Sequence, residues 1–351
     1  MQKLKQFRWF WWLILLCITF ALSITPQIGL SQNTRPHFEV NSTLDEPDTY
    51  VGDGNCSSNP SGLCTLRAAV QEGQAVNRAI TVPEGLYELS LGHLVVSKNL
   101  TLSGAGSGKT KLDGMRKSRV FDIADTGFAY ISDVTVQWGR GTPGFANHSH
   151  GAGIHNHGTL ILVDSTVRAS STDRNYGDGW GGGGITNAGT GKATLVNVTI
   201  AGNSTSGGGG GIENLGTMDV YNSTVINNQS FNSETSGGGI ANTGTISLKN
   251  TLVADNFYGK NCDGNIIDLG FNLSSDTTCG FPEDRSNVNL ILGGRDDNDT
   301  YPLYAGSPAI DGGTNDQCQN VDQRGVTRPQ DGNGDGIAVC DVGAYEFVPS
   351  P

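Results

Sequence analysis

Four stretches of this chain lie over one another: GAGIHNHGTLILVDSTVRAS, GGGITNAGTGKATLVNVTIAGN, GGGIENLGTMDVYNSTVINN and GGGIANTGTISLKNTLVADN. Their isoleucines, Ile154, Ile185, Ile212 and Ile240, are separated by 31, 27 and 28 residues. Each unit reads as a short strand around the isoleucine, a Gly-Thr turn and a longer alternating strand. An Asn-rich or small-residue corner and a Gly-rich loop of variable length complete it. Strands this short cannot bury their apolar faces alone, but units stacked as rungs can. The expected fold is therefore all-β, a right-handed parallel β-helix. A β-propeller is the main competitor, and its blades need roughly 40–50 residues and four strands each, more than this spacing supplies.

Stacking puts like over like. Ile154, Ile185, Ile212 and Ile240 are expected to form one inward column, and Val167, Ile200, Val225 and Val253 another. Asn156, Asn187, Asn214 and Asn242 share one equivalent position, while Asp164, Asn197, Asn222 and Asn250 share a second. Asparagine tolerates left-handed turns, and its amides can bond between rungs about 4.8 Å apart, so these residues read as structural. Strand-like runs at Ile80 to Leu89, Leu94 to Leu102 and Val120 to Val136 extend the pattern backwards, with Asp133 of ISDVTV aligned to Asp164 of LVDSTV. Glycine, at 51 of 351 residues, fits a fold rich in turns.

The first residues read as an export leader. Lys3, Lys5 and Arg8 precede an apolar run from Trp9 to Ile24, and small residues at Gly29 and Ser31 point to cleavage before Gln32. An uncleaved anchor is the competing reading, but the run is slightly short for a span of roughly 20 residues. The expected layout is a signal peptide at 1–31, an N-terminal segment and cap at 32–79, β-helix repeats at 80–260, and C-terminal rungs with a cap at 261–351. No stable membrane span is expected once the leader is gone. Three basic residues leave with it, so 34 acidic side chains face 19 basic ones. That balance argues against nucleic acid, whose affinity rests on neutralising phosphates. A secreted or cell-surface protein is the expectation.

Export makes oxidised cysteines plausible. The six outside the leader fall into three local couples, predicting Cys56–Cys64, Cys262–Cys279 and Cys318–Cys340 among the 15 pairings that six cysteines allow. No CxxC spacing favours zinc instead.

A solenoid needs its ends covered. Cys64-Thr-Leu-Arg-Ala-Ala-Val70 reads as a short amphipathic helix whose Leu66, Ala69 and Val70 can cover the first rung. Here the chain resembles secreted β-helix proteins with a CSLREA-type N-terminal motif, although Ala68 replaces the usual acidic residue. Towards the other end, SPAIDGG from Ser307, DQRG from Asp322, RPQDGNGDG from Arg328 and CDVGAYEF from Cys340 are similar to a choice-of-anchor Q module. That resemblance implies export and the β-helix architecture, and it implies no fixed activity; the Cys318–Cys340 couple predicts that the irregular C-terminal cap is disulfide-linked. The chain stops at Pro351, so no anchoring tail is expected.

Several residue sets invite chemistry. SGAGSGKT, Ser103 to Thr110, lacks the first glycine of a P-loop and the helix that should follow, so no nucleotide is expected. Asp331, Asn333 and Asp335 alternate before Gly336 like the front of a calcium loop; the closing glutamate would fall at Val342, leaving Asp341 to close it and Ca2+ as the expected cofactor. His148, His150, His155 and His157 cluster in one short stretch, and His155 and His157 share a strand face, an arrangement suited to a transition metal or to acid–base work. No carboxylate stands near them in sequence.

Asp133, Asp164 and Arg168 are the catalytic candidates for a polysaccharide lyase or glycoside hydrolase acting on an acidic polysaccharide, with Arg174, Asp173 and Asp178 nearby. Trp138, Tyr176 and Trp180 could stack on sugar rings. The leading expectation is a non-catalytic, adhesin-like or glycan-contacting exported protein, whose partner is an extracellular polysaccharide or cell-surface glycan.

Overall fold

The computed structural model describes residues 37–141, 150–172, 181–231 and 236–349. All lie in the compact unit Pro36–Pro351. Strands dominate them, and every strand-to-strand ladder is parallel. Among the described residues the helical segments are one α-helix, Leu66–Val76, and one short 3-10 turn, Glu283–Arg285.

Short strands, among them Phe121–Ile123, Ile154–Asn156, Ile185–Asn187 and Ile212–Asn214, build a seven-stranded sheet. Each partner is one repeat away: Ile154 lies beside Phe121 and Ile185, Ile185 beside Ile212, and Ile212 beside Ile240. The longer strands, such as Thr159–Arg168 and Lys192–Ala201, form a fifteen-stranded sheet with the same step. There Val136, Val167, Ile200, Val225 and Val253 stand in register. Both columns are fully buried in one core, as the repeat alignment requires. Pairing starts earlier than the repeats suggest, because Phe38 already pairs with Ile80.

Asparagine ladders run through this core. Asn156, Asn187, Asn214 and Asn242 are linked by amide-to-carbonyl bonds of 2.7, 2.8 and 2.7 Å. A second chain, Asn203 to Asn228 to Asn256 to Asn261, was not singled out by the sequence. It accounts in part for the last glycine of the Gly-Gly-Gly-Ile signature. A Cβ on Gly184 or Gly211 would stand 2.9 Å from the Nδ2 of Asn203 or Asn228 and closer still to the backbone carbonyl of the next rung, and backbone carbonyls alone exclude one at Gly183 and Gly210. At the outer corner the chain bends through positive φ at Asp133, Asp164, Asn197, Asn222 and Asn250, with values from 45° to 61°. Asp and Asn are the side chains that bear this conformation best.

The N-terminal end is closed by the helix Leu66–Val76. Thr65 caps it by accepting from the Ala68 N–H, and Leu66, Ala69 and Val70 pack on Phe38 and Ile80. Cys56–Cys64 pins its approach. At the other end the Cys262–Cys279 bridge and Phe281 join the same core. Cys318–Cys340 is the third bridge, so all three expected pairings are present.

The C-terminal stretch does more than close an end. It runs back across the outer face of the long sheet, where Thr135, Thr166, Thr199 and Thr224 point away from the valine column yet are buried. The Gln323 side chain accepts from Thr199 and donates to Thr166 and to Ser107. Further along, Leu290, Leu303, Ile310 and Val342 cover Ala201, Ile226 and Ala254. Outward positions on these rungs are small or apolar and need a cover, which is why the segment lies there.

Candidate functional site

The outer corner column supplies the first candidate. Along its later rungs the C-terminal stretch seals it: Asn250 donates to the Thr314 carbonyl and accepts from the Thr314 N–H, and Asn197 donates to the Val321 carbonyl. Beyond Asn197 the cover parts into a cleft of about 220 Å3, lined by Asp133, Asp164, Lys109, Asp322, Gln323 and Arg324 among others. That volume is below the ~300–1,000 Å3 of drug-sized sites, so it suits one small ring or the end of a chain. The column changes from amide to acid where it becomes open.

Position decides the chemistry of these acids. Asp133 and Asp164 occupy equivalent places on adjacent rungs, since Ser132 pairs with Val163. Burial pushes the Asp164 carboxyl up to about 7; Asp133 and Asp322 add to the rise, against the pull of the Asn197 amide 2.8 Å away. Burial also raises Asp133. Asp322 is fully committed, accepting from Arg324, Val326 and Glu346. Lys109, exposed at the rim, is the cation of the cleft not forked to a carboxylate among the described contacts.

Arg168, expected with the two aspartates, is turned elsewhere. Its Nε lies 3.2 Å from Asp299 and its Nη1 3.2 Å from the Gln137 side-chain oxygen. Trp138 does not offer a bare ring, because the Arg116 guanidinium sits 4.0 Å over it. Tyr176, Trp180, His148, Asp173, Arg174, Asp178 and the leader all lie outside the described residues. The Ser103–Thr110 motif continues as strand Thr110–Asp113, so no helix N-terminus faces a phosphate there.

The Asp331–Gly336 segment, expected to hold calcium, has side-chain oxygens that accept from its own turn. Asp331 accepts from Gly334 and Gly336, Asn333 from Asp335, and Asp335 from Ile337. Asp341 is buried, with its oxygens accepting from Asp311 and Phe347, and burial together with Glu346 pushes it up to about 7.

A second cluster lies on the short sheet. Asp122 and His155 are register partners on adjacent rungs, and His157 follows one residue beyond the strand Ile154–Asn156. The rings of His155 and His157 stand 4.2 Å apart, edge to face. Arg119, itself buried, reaches His155 Nδ1 at 2.5 Å and Asp122 Oδ1 at 3.4 Å. Burial drives His155 down to about 4, against the pull of Asp122. Asp122 is held at about 2: burial opposes this, but His155, Arg119 and His93 outweigh it. Next along the column, Glu213 accepts from Thr186 at 3.1 Å and lies 3.0 Å from His150 Nδ1.

Sequence reading missed Asp122 and Arg119 because they sit a whole turn of chain before the histidines. Aligning FDI with IHN would have found the aspartate. Among the described residues no helix is long and apolar enough to cross a membrane. Comparisons with family models, with curated proteins and with solved structures find no match to this chain.

Proposed function

We propose that this chain is an exported right-handed parallel β-helix that contacts carbohydrate outside the cell through the cleft at Asp133 and Asp164. One observation carries the reading. The corner column carries acids where it is open and amides where it is covered, although all five positions share one backbone conformation. An amide would serve the bend equally well, so the acids answer to something in the cleft. Carboxyl pairs are good partners for sugar hydroxyls, which both donate and accept. The clustered acids favour a neutral or amino sugar over an acidic polysaccharide, whose carboxylates they would repel. Export is supported by the leader-like first residues and by three disulfides, which persist in oxidising compartments.

The raised Asp164 favours a second, catalytic reading. A carboxyl that keeps its proton near pH 7 can serve as general acid beside Asp133, and stacked rungs about 4.8 Å apart approach the ~5–5.5 Å separation of retaining glycosidases. Both readings meet in one experiment: a panel of neutral, amino and acidic glycans is screened for binding and for new reducing ends. The wild-type chain should bind a neutral or amino glycan, and Asp133→Asn with Asp164→Asn should lose it. Release of reducing ends abolished by Asp164→Asn selects the hydrolase. Binding indifferent to both substitutions removes the cleft from either account.

A further inference from the structure

The histidine cluster has a geometry that the cleft does not explain. In the three-residue strand Ile154–Asn156, Ile154 and Asn156 turn into the core and the amide ladder, so His155 between them faces the other side. His157 shares that face, and the parallel register sets the carboxylate of Asp122 beside them from the preceding rung. One ligand atom from each of Asp122, His155 and His157 lies within 4.8 Å of the others. We infer that these three residues bind a single transition-metal ion of the zinc class on the outer face of the short sheet.

The donor set decides the metal. Two imidazole nitrogens and one carboxylate oxygen suit Zn2+ and its neighbours; calcium asks for six to eight oxygens and magnesium for six. Two histidines one residue apart on extended chain, plus a third ligand from the adjacent strand, make one facial set. That set leaves a fourth position to solvent or to a ligand. Further groups stand close enough to orient the first three. His93 Nε2 is 3.7 Å from the other Asp122 oxygen, and the His150 ring stacks 6.2 Å from His155 while engaging Glu213.

Arg119 sets the limit on affinity. Its guanidinium faces the His155 Nδ1 lone pair and pairs with Asp122, so it offers both residues a cation already built into the protein. A metal taking that nitrogen must displace this contact, and Arg119 can remain on Asp122. The site therefore binds more weakly than its three ligands alone would dictate. Deleting the guanidinium strengthens it.

The test is a calorimetric zinc titration of the chelator-treated chain, with an X-ray absorption spectrum of the loaded protein. One equivalent of zinc is expected, with two imidazoles in the spectrum. His157→Gln, a change at a half-buried side chain, should weaken binding at least about tenfold, in the range that metal-site substitutions give. Arg119→Met should tighten it. Two results overturn the inference: no zinc uptake by either the wild-type chain or Arg119→Met, or uptake unchanged by His157→Gln with no imidazole in the spectrum. Should Arg119→Met not fold, the wild-type spectrum and His157→Gln decide the matter between them.

Discussion

The repeats carry an inner column of asparagines and an outer column of aspartates and asparagines, and the protein treats the two differently. At the inner corner Asn156, Asn187, Asn214 and Asn242 are buried; each successive pair is linked, and the last donates to the Asn265 carbonyl. Their amides also hold the following turn, as Asn187 does through the carbonyls of Gly191 and Thr217. At the outer corner the column is heterogeneous. Asn197 bonds across rungs to Asp164 and Asn250 bonds to the covering segment, while Asn222 Nδ2, like Asn156 Oδ1 at the start of the inner ladder, is buried with no partner among the described residues. A repeated residue is thus a repeated interaction only where the environment repeats as well. The inner corner sees the same core on every rung. The outer corner sees the cleft on some rungs and is buried on others, under C-terminal chain at Asn197 and Asn250.

The largest test of that contrast is removal of an inner amide. Asn187→Ala strips hydrogen bonds from the Asn156 amide, from Asn214 and from two backbone carbonyls, in a place water does not reach. Leaving buried polar groups unmet costs about 1–3 kcal/mol each, and a ladder loses more than one. A loss of about 3 kcal/mol or more is expected in urea unfolding. A loss below about 1 kcal/mol would make the ladder ornamental and erase the difference between the corners.

How much of this was legible in the sequence follows the same division. The inward columns and the inner ladder could be placed because apolar and amide residues recur at a fixed offset within each unit, and parallel pairing preserves that offset. Local cysteine spacing was enough for the disulfides. Contacts between a rung and a distant segment left no periodic trace. Nothing near Thr166 announces Gln323, and nothing near Asn197 announces Val321. The cleft is made by such contacts, so Asp133 and Asp164 could be aligned but not seen as its walls. The pairing of Arg168 with Asp299 was hidden for the same reason, because Asp299 lies far along the chain.

A medium-sized effect is expected from moving the acid one rung too far. Asn197→Asp keeps the shape and the tolerance for positive φ, but it places a carboxylate beside Asp164 and removes the donor to the Val321 carbonyl. Two acids so close cannot both ionise cheaply. About 1–3 kcal/mol of stability should be lost at pH 7, the usual range for a buried polar group left unmet. Less should be lost at pH 4, where both carboxyls hold protons. An equal loss at the two pH values would mean that shape rather than charge governs the corner.

The smallest effect has the opposite sign. Asp164→Asn continues the amides into the open rung, and the Asn197 donor still finds an oxygen there. In the folded chain Asp164 titrates at about 7, against an ordinary 3.8. The folded state therefore holds a proton that the unfolded chain has released across that window. Stability from this group is complete below about pH 4 and is lost as pH rises through 7. Asp341, also raised to about 7, contributes in the same direction. His155, depressed to about 4, works against them over the lower part of that range, so the test is the difference between variants: Asp164→Asn should match the wild-type melting temperature at pH 4 and exceed it by a few degrees at pH 8. Extra stability at pH 8, bought at the expense of glycan contact, would show that the acid is kept in the cleft for its chemistry, against the interest of the fold. A variant no more stable than wild type at pH 8 would leave the open corner no different from the covered one.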